Sequence, residues 1–308
     1  MMLMLILKFI LLGTIISVYT KNELTAIIMP FHRRQIKKLM FNFGTWNIFE
    51  PSTKLSPTRP ELILFASGVD VNNFNQTISE FFNENLHLKE HFSTISVQFG
   101  NLTVKKDGYW RGTKLMFEAV LNNKLVFKAP KISHIFYMEP DCVPIRKHWI
   151  DALINEIENE ADDLIWMKGS KFVGNPHLLT VGNEALKQHL NGNSIYNVGS
   201  DDFRKFYYKY IKPNYVELAP YDLRIFEILL QDDGKLYKEF GHHFIPTKFV
   251  QNTAGKFLHW NDYIKEEPTV YLIHLSNNWR DYLLFYNENL KPNHQNQQVD
   301  VDKIFAIK

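Results

Sequence analysis

An apolar run ends on two carboxylates one residue apart in Ile135-Phe136-Tyr137-Met138-Glu139-Pro140-Asp141-Cys142-Val143-Pro144. Alternate residues of an extended chain share a side, so Glu139 and Asp141 can face one space. Two hard oxygen ligands in one place suit Mg²⁺ or Mn²⁺, and such a cation can bridge a diphosphate. The carboxyl end of a strand in an open parallel sheet is also where ligands bind. Alone, the triplet reads as well as an acidic turn, for which Pro140 and Pro144 are natural residues. Lys114 and Arg111, just upstream, could pair with phosphates, or could line a solvated helix face.

The elements around this segment alternate. Leu24 to Met29 is an apolar run ended by Pro30, as a buried parallel strand requires. Ile36, Leu39, Met40 and Phe43 recur at helical spacing, with Arg33, Arg34, Lys37 and Lys38 read as the solvated face. Leu62 to Ala66 and the alternating Ile95, Val97 and Phe99 are further strands, and Ile132 to Met138 is the fourth. Helices between them are marked by Phe74, Ile78, Phe81 and Phe82, and then by Leu115, Met116, Ala119 and Val120 after Gly108 and Gly112. The order β-α-β-α-β-α-β implies an α/β fold with one mostly parallel central sheet and helices on both faces. Downstream lie a helix on Trp149, Leu153 and Ile157, a short strand over Leu164 to Met167, and an aromatic-faced helix on Phe203, Phe206, Tyr207 and Tyr210. A helix over Tyr221 to Leu230 and a late strand over Val270 to Ile273 follow. There is no internal repeat or long linker, which predicts one domain over residues 21–308. Asn287 to Gln298 reads as a surface segment.

Glu139-Pro140-Asp141, followed by Pro144 and a Trp149-Ile150-Asp151 helix start, resembles the Asp-x-Asp metal motif of GT-A glycosyltransferases, here as Glu-x-Asp. The order of elements resembles that family over most of residues 24 to 280. The resemblance implies a GT-A-like domain that binds a nucleoside diphosphate sugar through Mn²⁺ or Mg²⁺ and passes the sugar to a glycan, protein or lipid hydroxyl. It implies that His274, at the end of the late strand, is a third metal ligand beside Glu139 and Asp141; an imidazole favours Mn²⁺. His242, His243 and His259 compete for that place. It also implies that His189 to Tyr196 is a glycine-containing loop over the donor or acceptor. There Gly192 lets backbone approach the ligand closely and Asn193 lies beside it; an ordinary Asn-Gly turn is the plain alternative. Lys114 would then meet donor phosphate. In inverting members a carboxylate at a helix start takes the acceptor proton, a place matched by Asp222 after Pro220. Asp222 reads equally as a first-turn acid, and Asp201-Asp202 as an N-cap. A retaining enzyme would need no such base. Trp110, Trp260 and Trp279 could stack on a sugar, but most aromatic residues must be core, and none is assigned to the site.

Composition narrows the classes. The 308 residues are 45% hydrophobic, ample for a packed core, and the net charge is +2 with Lys and Arg scattered. No basic stripe exists to displace counterions from nucleic acid, so no nucleic-acid partner is expected. Met1 to Val18 is apolar but for Lys8 and the Gly13-Thr14 pair, which predicts a signal peptide or signal anchor over residues 1–20 and a secretory-pathway lumen (Golgi or ER), or secretion after cleavage. The next strand begins at Leu24, leaving almost no stem, which favours cleavage. Cys142 is the single cysteine and reads as a small buried hydrophobe. Asn75-Gln76-Thr77 and Asn101-Leu102-Thr103 are glycosylation sequons. Two rival readings remain: a nucleotidyltransferase, against which Pro30 to Arg34 lacks a glycine, and a secreted sugar- or nucleotide-binding protein without turnover.

Overall fold

The computed structural model describes residues 22–53, 59–68, 74–160, 164–174, 184–215, 219–253, 256, 258–275 and 282. The expected signal segment, the Asn/Gln-rich stretch and Trp279 lie outside them. Among the described residues, no helix is long and apolar enough to cross a membrane.

Ten strands are described: β1 (Leu24–Phe31), β2 (Glu61–Ala66), β3 (Ile95–Phe99), β4 (His134–Tyr137), β5 (Cys142–Pro144), β6 (Met167–Lys171), β7 (Leu190–Asn197), β8 (Phe244–Pro246), β9 (Val250–Asn252) and β10 (Leu272–His274). Seven form a central sheet in the order β3-β2-β1-β4-β7-β6-β8. β1 to β4 are mutually parallel, β7 runs antiparallel to both β4 and β6, and β8 is parallel to β6. The mostly parallel sheet flanked by helices expected from the alternating elements is borne out. The main helices are α1 (Ile36–Trp46), α2 (Phe74–Glu84), α3 (Tyr109–Leu121), α4 (Trp149–Glu158), α5 (Asp201–Phe206) and α6 (Tyr221–Leu229).

β1 shows why its sequence is a continuous apolar run. Ile27, Met29 and Phe31 pack with α1, α2 and α4 on one face, through Leu39, Phe43, Ile78, Phe82, Trp149 and Leu153. Ala26 and Ile28 pack on the other, with Phe117 and Val120 of α3 and Ile225 and Phe226 of α6. A strand covered on both sides needs apolar residues at every position. A smaller sheet, β5-β10-β9, carries its own apolar cluster of Val143, Ile145, Trp260, Tyr263 and Ile273.

Three local expectations are corrected. Leu190–Asn197 is a fully buried strand, not a glycine loop or an Asn-Gly turn. Its buried polar side chains find partners inside the protein: Asn193 binds Glu139 and Asn191, and Ser194 Oγ donates to the Asn191 carbonyl. The strand after α4 spans Met167–Lys171 rather than Leu164–Met167. Lys168, polar enough to end an apolar run, is held inside by Glu156 Oε2 at 3.1 Å and Glu160 Oε1 at 2.7 Å, while Trp166 stacks on His243 at 4.0 Å. Ser200, not Asp201, caps α5, its hydroxyl accepting from Phe203 N at 3.1 Å. The late strand ends on His274 but belongs to the smaller sheet.

Phe117 is the centre of an aromatic cluster on one face of the central sheet. It is fully buried, stacks on Tyr221 at 4.2 Å and meets Tyr137, Tyr196 and Tyr207 edge-on or tilted. Phe117→Ala should destabilise the protein by about 3–5 kcal/mol, the cost of a large aromatic cavity, measured by urea denaturation. A loss under about 1 kcal/mol would mean the aromatic cluster collapses freely into the gap.

Candidate metal and donor site

The chain runs outward through β1, β2 and β3, then returns to place β4 on the other side of β1. That reversal opens a crevice at the carboxyl ends of β1 and β4, the place where open α/β sheets bind ligands. Glu139-Pro140-Asp141 sits there. It forms a turn and not the extended stretch expected, closed by Cys142 N donating to the Glu139 carbonyl at 2.9 Å. The two carboxylates therefore converge because the chain bends, rather than by strand alternation.

Four segments hold this turn. Met138 N donates to the Ile28 carbonyl at 2.9 Å, continuing the β1–β4 ladder. Asn42 of α1, fully buried, donates from Nδ2 to the Pro140 carbonyl at 3.2 Å and the Cys142 carbonyl at 2.6 Å, and accepts from Trp46 Nε1. Asn193 of β7 accepts from the Glu139 backbone N at 2.7 Å and donates to its Oε2 at 3.1 Å. In the smaller sheet His274 pairs with Cys142, and Leu275 N donates to the Asp141 carbonyl at 2.9 Å.

That last pairing brings the end of β10 to the acids. His274 Nε2 lies 3.3 Å from Glu139 Oε2 and 3.4 Å from Asp141 Oδ1. One ligand atom from each of the three residues falls within 4.8 Å of the others. The donor set, two carboxylate oxygens and one imidazole nitrogen with Nε2 turned to both acids, fits a divalent cation such as Mn²⁺. His274 Nδ1 is buried with no hydrogen-bond partner among the described residues, so the strand pairing, not a bond to Nδ1, sets the ring. His243 is occupied elsewhere, bonded through Nδ1 to the Leu164 carbonyl at 2.8 Å.

The charges are strongly coupled. Burial pushes the Glu139 carboxyl up to about 7 against the pull of His274, with Asp141 and Asp222 adding to the rise. Burial also works against charge on Asp141, but the hydrogen bonds and charges of His274 and Lys38 hold it well below the usual carboxylate range. Burial disfavours the imidazolium of His274, and the hydrogen bond and charge of Asp141, with the charge of Glu139, overcome this and raise it to about 9.

Glu139 borders a cavity of about 610 Å³ whose wall includes Phe31, Arg33, Arg34, Ser67 and Asp107. Asp107 Oδ2 accepts from Ser67 Oγ at 2.9 Å and faces His32 Nε2 at 3.2 Å. Tyr221 also lines the cavity; Asp222, 6% exposed, does not, and its Oδ2 accepts from Gly192 N at 2.8 Å. Gly192 sits in a tight place: a Cβ there would lie 3.0 Å from the Tyr221 hydroxyl, which would have to give way by a few tenths of an ångström. Gly192 packs against the start of α6. Lys114 has partners of its own. Its ammonium lies 3.8 Å from Glu118 Oε1 and 4.1 Å over the Tyr215 ring, and it is not on the cavity wall. Trp260 is 5% exposed and belongs to the core, whereas Trp110 is 40% exposed.

Sequence reasoning missed Lys38, Asn42 and the basic wall. Lys38, read as solvated, reaches Asp141 Oδ2 at 3.0 Å. The signal available was position: Arg33, Arg34 and Lys38 follow the carboxyl end of the first strand, the edge at which ligands bind.

No family model and no curated protein matches this sequence. Among solved structures the chain is similar to mouse xyloside xylosyltransferase 1 in its apo form, with TM-score 0.49 and 10% identity over 82% of this chain and 98% of that one. It is similar to the galactosyltransferase LgtC in complex with donor and acceptor sugar analogues, with TM-score 0.46 and 9% identity over 81% of this chain and 86% of that one. It is also similar to the glycosyltransferase GlyE of Streptococcus pneumoniae TIGR4, with TM-score 0.44 and 9% identity over 81% of this chain and 54% of that one. These are likenesses of arrangement; what the site can do follows from its own side chains.

The coupled charges set a pH dependence. The folded protein binds more protons than the unfolded chain at Glu139 between 4.5 and about 7, and at His274 between 6.5 and about 9. Both differences make stability fall as pH rises. Burial lowers His134 to about 4, so below about pH 6.5 its opposite contribution offsets that of Glu139. In chelator the unfolding temperature should therefore decline from about pH 6.5 to about pH 9, and Mn²⁺ should flatten or reverse that decline because a cation displaces the protons. A thermal scan in chelator that is flat across the window would contradict the coupling.

Proposed function

We propose that this protein is a metal-dependent glycosyltransferase that moves a sugar from a nucleoside diphosphate sugar to a hydroxyl acceptor. One observation carries the reading: Glu139, Asp141 and His274 converge at the edge of a cavity large enough for a nucleotide and walled by Arg33 and Arg34. Glu139, Asp141 and His274 would hold the cation, which when bound supplies positive charge to the leaving diphosphate.

The remaining work falls to the chain's own groups. Arg33 and Arg34 offer charge-assisted hydrogen bonds to anionic oxygens. Phe31 and Phe74, with ring centroids 4.9 Å apart, give the cavity an apolar surface for the flat part of a nucleoside. Asp107, held by Ser67 and His32, presents a fixed acceptor to ribose or base hydroxyl and amine groups. Asn193 keeps Glu139 in place from both backbone and side chain. Asp222 is held beside the metal triad by Gly192 N, and in an inverting reaction it would take the acceptor hydroxyl proton.

The same reading places the protein in the secretory lumen, on the apolar block Met1 to Val18 and on the sequon residues Asn75 and Asn101, both exposed.

Calorimetry of nucleoside diphosphates should find binding with Mn²⁺ and little in chelator, and His274→Ala or Glu139→Gln should weaken binding and turnover together. Nucleotide-sugar hydrolysis over a donor panel then separates an enzyme from a binding protein, which would show none. Asp222→Asn tests the base separately. Asparagine keeps an oxygen for Gly192 N but cannot take a proton. Donor affinity should therefore hold while turnover falls roughly 10²–10⁴-fold. Turnover equal to wild type would remove Asp222 from proton transfer.

A further inference from the structure

The two oxygens of Asp141 are divided between two partners. Oδ1 faces His274 Nε2 at 3.4 Å, inside the triad, while Oδ2 is held by the Lys38 ammonium at 3.0 Å. The backbone under Asp141 is pinned on three sides. Asn42 holds the carbonyls before and after it, and Leu275 N holds its own. Turning the carboxylate so that both oxygens face the triad therefore requires breaking the Lys38 pair. Lys38 comes from α1, and 37% of its side chain is exposed, so the pair sits at the rim of the site rather than in the core.

We propose that Lys38 is a metal-specificity residue, which by occupying Oδ2 confines Asp141 to one ligand atom and selects Mn²⁺ or Mg²⁺ against Ca²⁺. The inference rests on the metal reading of Glu139, Asp141 and His274 given above. Ca²⁺ takes six to eight oxygen ligands and commonly uses a carboxylate through both oxygens, whereas Mg²⁺ needs fewer protein ligands in tighter geometry. A cation spanning both oxygens of Asp141 would share Oδ2 with an ammonium. Like charges so placed in a partly dry site repel more strongly than in water. A cation held by Oδ1 alone avoids that contact.

Binding of Mn²⁺ and of Ca²⁺ to metal-free full-length protein, measured by calorimetry and by the Mn²⁺ EPR signal, tests this without turnover. Lys38→Met keeps the aliphatic stem and removes the charge. Both cations should bind it more tightly than wild type, because a positive charge has gone. Ca²⁺ should gain roughly tenfold more than Mn²⁺, since only it recovers a second ligand atom. Lys38→Arg, which keeps a cation on Oδ2, should hold the wild-type ratio. Equal gains for the two cations in Lys38→Met would overturn the inference and leave Lys38 a simple neighbouring charge. Lys38→Leu, which likewise leaves Oδ2 without a donor at this position, serves the same comparison if Lys38→Met melts below the binding temperature. Wild-type protein that binds no Mn²⁺ would instead sink the metal reading, and the inference with it; Mn²⁺ binding lost in Glu139→Gln with an unchanged Lys38→Met ratio sinks the inference alone.

Discussion

Two carboxylates meet at the end of β4, Asp141 buried and Glu139 half-buried at the cavity edge, and much of the surrounding structure answers the cost of bringing them together. A buried charge without partners is expensive, and a partly satisfied polar group is nearly as poor. Here the compensation comes from four residues. Lys38 arrives from α1, Asn193 from β7, His274 from β10, and Asn42 satisfies the carbonyls of the turn itself. They come from three separate elements, Lys38 and Asn42 both lying on α1. The site is thus assembled by tertiary packing around an acidic turn.

That dependence explains the smaller sheet. β5 follows the acids immediately, β10 pairs with it antiparallel, and β9 flanks β10 in parallel. The register fixes His274 opposite Cys142, one residue past Asp141. A slip of one residue would turn the imidazole to the other face of the sheet. The apolar cluster of Val143, Ile145, Trp260 and Ile273 resists such a slip, because it would expose Ile273 in place of His274. Apolar packing and the placement of His274 beside the two acids are therefore secured by the same register.

On the other side of β4, the aromatic cluster performs a similar service for Asp222. Phe117 stacks on Tyr221, and Tyr196 and Tyr221 meet through their hydroxyls at 3.2 Å over the Gly192 carbonyl. The start of α6 packs closely against β7, with little room for a side chain at residue 192. Asp222 is placed by that contact, within electrostatic reach of Glu139 and His274.

The sequence by itself determined the parallel half of the sheet and the helices that cover it, and it named Glu139, Asp141 and His274 as residues that could meet. These rest on local signals: apolar runs, helical spacing, and acids and a histidine at strand ends. The buried polar strand β7, the register of β6 and the bend that brings Glu139 and Asp141 together were decided only by tertiary structure. So were the roles of Lys38 and Lys114, two lysines that look alike along the chain. One reaches Asp141 across 103 residues and the other pairs with Glu118 one helical turn away. A polar side chain is read from sequence as solvent-facing because water is its default partner. When a distant residue supplies the hydrogen bond or counter-charge instead, the same side chain can be buried or enlisted, and no local pattern carries that information.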